Sequence, residues 1–160
     1  MDRRLFAVPV LASSLLLPLS AQAQVSTTMD IMATVASACT VETTPIDFGI
    51  YDGTESSTTG TIAVTCNQGV AYKVGLNSGM HYDGANRAMA NSVGDPLLYR
   101  LTYIGNDWGD NLVTDTYPAD AVDGLGAGSP TTYTVDAQVW SNQPAPPGVY
   151  TDTVTVTVAF

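Results

Sequence analysis

Positive charge is nearly absent from this chain: of 160 residues only 5 are Lys or Arg, against 15 Asp or Glu, for a formal net charge of −10 at pH 7. A protein that grips a phosphate backbone needs clustered Lys and Arg, so nucleic acid is excluded as a partner, and an anionic membrane surface is disfavoured. Cysteine is limited to Cys39 and Cys66 and histidine to His81, too few to build a metal centre at ligand spacing. No G-x-S-x-G or comparable nucleophile motif is present. Beyond Leu19 no apolar run is long enough to insert across a bilayer, and neither a helical period nor an internal repeat is visible. These absences point away from an enzyme and from a cofactor-bearing protein.

The start of the chain has a different character. Arg3 and Arg4 precede an apolar run from Leu5 to Leu19, broken by Pro9 and Pro18, and Ala21-Gln22-Ala23 offers small residues at cleavage spacing. Residues 1–23 therefore read as a secretory signal peptide, with maturation at Gln24. The two prolines and the short run argue against a spanning anchor. Export places the cysteines in an oxidising compartment, where the even pair reads as one disulfide, Cys39–Cys66, worth roughly 3–4 kcal/mol in the chain-entropy account. An acidic exterior keeps such a protein soluble.

What the chain has in quantity is two-residue alternation. Strands are expected at Cys39–Val41 and Ile46–Tyr51, broken at Thr44-Pro45, and after a polar loop from Asp52 to Gly60 at Thr61–Cys66. Asn67-Gln68-Gly69 makes a turn into Val70–Asn77. A glycine-rich stretch holds a short Arg87–Ala90 segment, followed by Leu97–Ile104 with Leu97, Tyr99, Leu101 and Tyr103 on one face. A long loop from Gly105 to Pro130, holding a short strand near 111–114, precedes Thr132–Trp140. Short strands at this spacing indicate an all-β, antiparallel sandwich.

The two ends of the mature chain are the informative part. The final stretch, Gly148–Phe160, alternates Val154, Val156, Val158 and Phe160 against Thr153, Thr155, Thr157 and Ala159, with no later strand to cover it. At the other end Val25, Thr27, Met29, Ile31, Ala33 and Val35 share one face of a spare extended segment. Counting from Cys39 gives about six principal strands, one short of a minimal immunoglobulin-type sandwich. An uncovered strand and an unattached one suggest a polymer.

In order along the chain, Phe48-Gly49-Ile50-Tyr51 after the first cysteine, Gly60-Thr61-Ile62-Ala63-Val64-Thr65-Cys66, Tyr72-Lys73-Val74-Gly75-Leu76-Asn77-Ser78-Gly79, Arg87-Ala88-Met89, Leu98-Tyr99-Arg100-Leu101-Thr102-Tyr103, Trp108-Gly109-Asp110, Tyr133-Thr134-Val135 and the closing Gly148–Val158 stretch resemble the spore coat protein U domain family, the archaic (Csu-type) chaperone–usher pilus subunits. The resemblance spans essentially the whole chain after the signal. It implies an incomplete immunoglobulin-like sandwich lacking its last strand, residues 37–160, completed by a donor strand from another chain, with residues 24–36 as the donor extension. It implies a periplasmic chaperone that lends a strand, an outer-membrane usher that exchanges it, and identical or related subunits joined head to tail in a cell-surface pilus serving adhesion and biofilm formation. Cys39–Cys66 would join the first two strands. Val154, Val156, Val158 and Phe160 would line the acceptor groove and chaperone edge, with the Phe160 carboxylate as an anchor for basic chaperone residues. Met32 on the polar face of the donor would permit a one-residue slip.

Other readings stand beside this one. His81 near Asp83 is read as a solvated loop histidine in preference to a catalytic dyad. Asp107, Asp110, Asp115, Asp120 and Asp123 crowd one loop without the spacing of a calcium loop. Tyr82, Trp108, Tyr117 and Trp140 could form an aromatic platform for sugar or another surface, or fill the core. The alternative function is accordingly a self-complete secreted sandwich that binds carbohydrate or a surface ligand; a coat or matrix protein of the same fold is a third.

Overall fold

The computed structural model describes residues 23–111 and 117–160. The expected signal peptide, apart from Ala23, and the short strand near 111–114, apart from Asn111, lie outside the described residues. The chain divides into two units, one ending at Thr34 and one running from Val35 to Phe160. In the first, residues 23–34 carry no strand and are exposed throughout.

The second unit is all-β, with no helix among its described residues. Its strands are β1 (Cys39–Thr43), β2 (Ser56–Cys66), β3 (Ala71–Leu76), β4 (Arg87–Ala90), β5 (Pro96–Tyr103), β6 (Asn106–Asp107), β7 (Val122–Leu125), β8 (Thr131–Val139) and β9 (Val156–Ala159). One sheet runs β1-β2-β8-β5-β4 with β6 against β5, and the other runs β7-β3-β9. Every ladder is antiparallel. Because β2 neighbours β8 while β3 lies in the opposite sheet, the chain crosses between layers as an immunoglobulin-like sandwich does.

Alternation explains the core. Ile62, Val64 and Cys66 of β2, Leu97, Tyr99 and Leu101 of β5, and Tyr133, Val135, Ala137 and Val139 of β8 point inward and are buried against Tyr72, Val74 and Leu76 of β3. The residues between them, such as Thr132, Thr134 and Asp136, stay exposed. A strand slipped by one residue would invert this set, so the pattern also fixes register. The Cys39–Cys66 disulfide is formed, at the first paired position of the β1–β2 ladder.

Three expectations need correction. Ser56–Gly60 is not loop: it extends β2 and pairs with Val135–Val139 of β8, but its small polar residues carry no hydrophobic signal. Ile46–Tyr51 is not a strand. Asp47 Oδ1 accepts the Gly49 N–H at 2.8 Å and Gly49 takes φ +68°, so the backbone turns out of any ladder while Ile46, Phe48 and Tyr51 still pack on the core. The long loop after Gly105 contains β6 and β7; β7 was hidden because Val-Asp-Gly-Leu is too short to show a period. Gly124 lies under the Tyr72 ring and the Tyr133 hydroxyl, leaving no room for a Cβ.

Arg87 is the least expected core residue. It is fully buried and donates to the carbonyls of Leu76 at 2.6 Å, Asn77 at 2.7 and 2.8 Å and Trp108 at 2.8 Å. Its guanidinium lies 3.8 Å from the centroid of the Tyr117 ring. Burial pushes its pKa below the ordinary arginine value, against the opposing pull of Tyr117 and Asp110. The fork closes carbonyls that β3 leaves open where it ends, which a point-charge lysine would do less well.

Candidate functional site

Between the sheets the sandwich is open along one side. A groove of about 530 Å³ has the segment Thr43–Phe48 as one wall and Val149–Val156 as the other. Its floor comes from both sheets: Ile62, Leu76, Met89, Tyr99, Leu101 and Val135. These are the side chains that an inserted strand would cover.

The backbone along the walls is equally open. β9 is the last strand of its sheet and β1 the last of the other, so each has one edge that pairs with no strand among the described residues. Within Thr44–Tyr51, Thr44 N–H reaches Thr61 O at 3.0 Å, but the remainder belongs to no ladder. Such edges are templates for another strand. Ile46 can fold over β2 because position 60 is glycine: a Cβ there would come within 2.6 Å of Ile46 Cγ1.

The upper part of the Val149–Val156 wall is pinned by Asp152. Its carboxylate accepts the Tyr99 hydroxyl at 2.5 Å, the Met80 N–H at 2.8 Å and His81 Nδ1 at 3.3 Å. Burial first, and this carboxylate second, push the Tyr99 pKa well above the tyrosine range. Thr151 bridges Ala90 through bonds of 3.0 Å in both directions, and Thr155 N–H donates to Asn77 Oδ1 at 2.8 Å. The wall is therefore rigid without being paired along its free edge. Neither Asp152 nor this network was visible in the sequence, because its members come from three distant stretches.

The residues singled out from sequence fall as follows. Val154, Val156 and Val158 are half-buried against the core, with Val154 and Val156 on the groove. Phe160 is 60 % exposed. Ladder pairing of the final stretch is limited to Val156–Ala159, shorter than expected, because Asp152 diverts the chain toward the 79–81 loop. Val25, Thr27, Met29, Ile31, Ala33 and Val35 are all exposed and unpaired, Ile31 at 89 %.

The competing candidates are dispersed or occupied. Of the four aromatic residues, Trp108 and Tyr117 are buried, Trp108 Nε1 donating to Val74 O at 2.9 Å, while Tyr82 and Trp140 are half-buried. His81 faces Asp152, while Asp83 closes its own turn by accepting the N–H groups of Ala85 and Asn86 at 2.8 and 2.6 Å, bonds that lower its pKa. In the acidic loop, Asp110 is fully buried and accepts the Tyr117 N–H, and Asp123 pairs with Lys73; Asp115 lies outside the described residues. Among the described residues no group of three His, Cys, Asp or Glu side chains is gathered as a metal would require.

A family model for the Spore Coat Protein U domain matches residues 25–157. No curated protein matches the chain. Among solved structures, the chain is similar to one in the crystal structure of the CsuC–CsuE chaperone–tip adhesion subunit pre-assembly complex from archaic chaperone–usher Csu pili of Acinetobacter baumannii. The TM-score is 0.60 at 23 % identity, over 79 % of this chain and 40 % of that one. This chain thus spans well under two thirds of that relative, and the likeness at such identity is one of fold. It is also similar to the minor tip subunit HdaB of the E. coli Hda pilus, with a TM-score of 0.37 and 16 % identity over 76 % of this chain and 79 % of that one.

Proposed function

The chain belongs to the Spore Coat Protein U domain family, and on that premise we propose that it is a structural subunit of a secreted, cell-surface pilus assembled by the chaperone–usher route. The observation that carries this reading is the open groove between Thr43–Phe48 and Val149–Val156. Residues 37–160 form the sandwich, and residues 24–36 of a neighbouring copy are the strand that fills it, exported behind a signal peptide at residues 1–23. A periplasmic chaperone fills the groove first, and an outer-membrane usher oversees the exchange. The subunit is not an enzyme; in the finished fibre it supports adhesion and biofilm formation.

The energetics support such an exchange. Met29, Ile31, Ala33 and Val35 alternate along an exposed segment, and each large apolar side chain stabilises by roughly 1.5–3 kcal/mol when buried. Backbone pairing along β9 and the opposite wall adds to this, as in other strand-addition complexes. Donor and acceptor lie on different molecules, so the contact is heterologous and propagates as a filament. A self-complete sandwich has less in its favour, since residues 23–38 carry no strand and two of the four aromatic residues considered for sugar binding, Trp108 and Tyr117, are interior.

The test compares residues 37–160, refolded with the disulfide formed, with and without a synthetic peptide of residues 24–36. A marked rise in Tm and loss of aggregation on adding the peptide is expected. A domain that is monomeric and equally stable without the peptide would overturn the reading.

A further inference from the structure

We infer that the two ends of the sandwich are complementary faces of a contact between successive copies of this chain, additional to the inserted strand and resting on the donor-strand reading above. One end is where β2 and β5 begin and β8 finishes, since Ser56 and Tyr99 both lie opposite Val139. Its loops are tied together: Asn142 N–H donates to Gly53 O at 2.9 Å, and Asn91 Nδ2 to the Tyr150 hydroxyl at 3.4 Å. From these loops, and from the 79–81 loop held by Asp152, project Ile50, Met80, Val93 and Val149, exposed by 94, 72, 81 and 80 %. Scattered apolar residues on a surface are ordinary, whereas four on the loops of one end form a candidate contact face.

The other end carries Cys39, where each copy's donor extension joins its own domain. Leu125 is there: it lies opposite Ala71, and Gly69 N–H and Gly128 N–H bind Gly126 O and Cys66 O at 2.8 and 3.1 Å. Phe160 follows Ala159, which lies opposite Lys73. Leu125 and Phe160 are exposed by 64 and 60 %. They flank the start of β3 on its two sides.

Chain length decides which ends meet. Only residues 36–38 separate Val35 from Cys39, so the two lie at most about 14 Å apart along an extended chain. The domain of the donating copy is therefore held close to whichever end of the acceptor groove Val35 reaches. All strand ladders among the described residues are antiparallel, and an antiparallel ladder is the more stable choice. A donor antiparallel to the Val149–Ala159 stretch puts Val35 at its Val149 end. The Cys39 end of one copy, with Leu125 and Phe160, then faces the Ile50–Val149 end of the next. The tether makes this contact intramolecular in effect, so a modest apolar area is enough to hold it.

The full mature chain carrying Leu125→Cys and Val149→Cys is allowed to assemble and is then treated with a short bis-maleimide. A covalent ladder is expected, and none from Val149→Cys paired with Thr134→Cys on the outer sheet face. Links between two Val149→Cys positions, or between two Leu125→Cys positions, would overturn the arrangement by showing the reverse donor direction or another packing. Polymers that form but give no ladder would overturn it while leaving donor exchange intact; a chain that forms no polymers overturns both. Val93→Asp, on the same face but off the groove, provides a second measure: it should leave the melting shift with the 24–36 peptide unchanged and weaken assembly about tenfold, the equivalent of one buried apolar side chain. Unchanged assembly would count against the interface.

Discussion

Arg87 shows how a polar residue can hold an apolar sandwich together. Its fork closes the carbonyls of Leu76, Asn77 and Trp108, and each buried carbonyl left unpaired costs about 1–3 kcal/mol. Arg87→Leu should therefore lower stability by about 3 kcal/mol or more, read from urea unfolding with the donor peptide bound, and Arg87→Lys should recover only part of it. Tyr99 and Tyr133 give a second prediction. Burial raises both pKa values, helped at Tyr99 by Asp152 and at Tyr133 by the Tyr72 hydroxyl. A raised folded-state pKa means that the folded protein keeps a proton the unfolded chain loses, so this contribution is complete below the ordinary tyrosine value near 10 and is lost as pH rises above it. The urea midpoint should fall between about pH 9 and 11, and less steeply in Tyr99→Phe. At this scale the sequence was least readable. Arg87 sits in a four-residue strand and Asp152 in a run of threonines and valines, and their partners are brought near only by the fold.

Elements were more legible, and the reason is physical. β3, β5 and β8 bury one face and expose the other, so two-residue alternation marks them directly. β7 and the first half of β2 are stabilised by neighbours more than by their own side chains, and composition gives them no sign. The 44–51 stretch misled in the opposite direction: its apolar residues pack, but a glycine turn keeps its backbone out of the sheet. Val154 and Val156 line the groove and carry the alternation that marks a strand, whereas the anchoring of that wall through Asp152, Thr151 and Thr155 left no mark in the sequence. The disulfide ties β1, and with it the start of the opposite wall, to β2. Cys39→Ser/Cys66→Ser should cost roughly 3–4 kcal/mol on the chain-entropy account, measured as a lower Tm of the peptide-bound domain and unaffected by reducing agent.

For the whole molecule, the donor-strand proposal makes assembly and folding parts of one process, because the open groove lies along one side of the sandwich. A copy alone leaves the apolar floor and two strand edges open; under the proposal a copy within the fibre would not. Stability should therefore depend on protomer concentration. Dilution of assembled fibres below their dissociation range is expected to lower the Tm, whereas the peptide-saturated domain should melt at a concentration-independent temperature.

The scarcity of cations has a consequence for proteolysis. After Arg4 the chain holds only Lys73, Arg87 and Arg100, and these lie within β3, β5 or β4 in every case. The 24–38 segment has none at all. Proteases cut extended, unpaired chain, so enzymes that require a basic residue find no site on the folded domain or on its free tail. Trypsin should leave the folded chain uncut under conditions where an enzyme of broad specificity trims the 24–38 segment, so that resistance to trypsin lasts as long as the fold does.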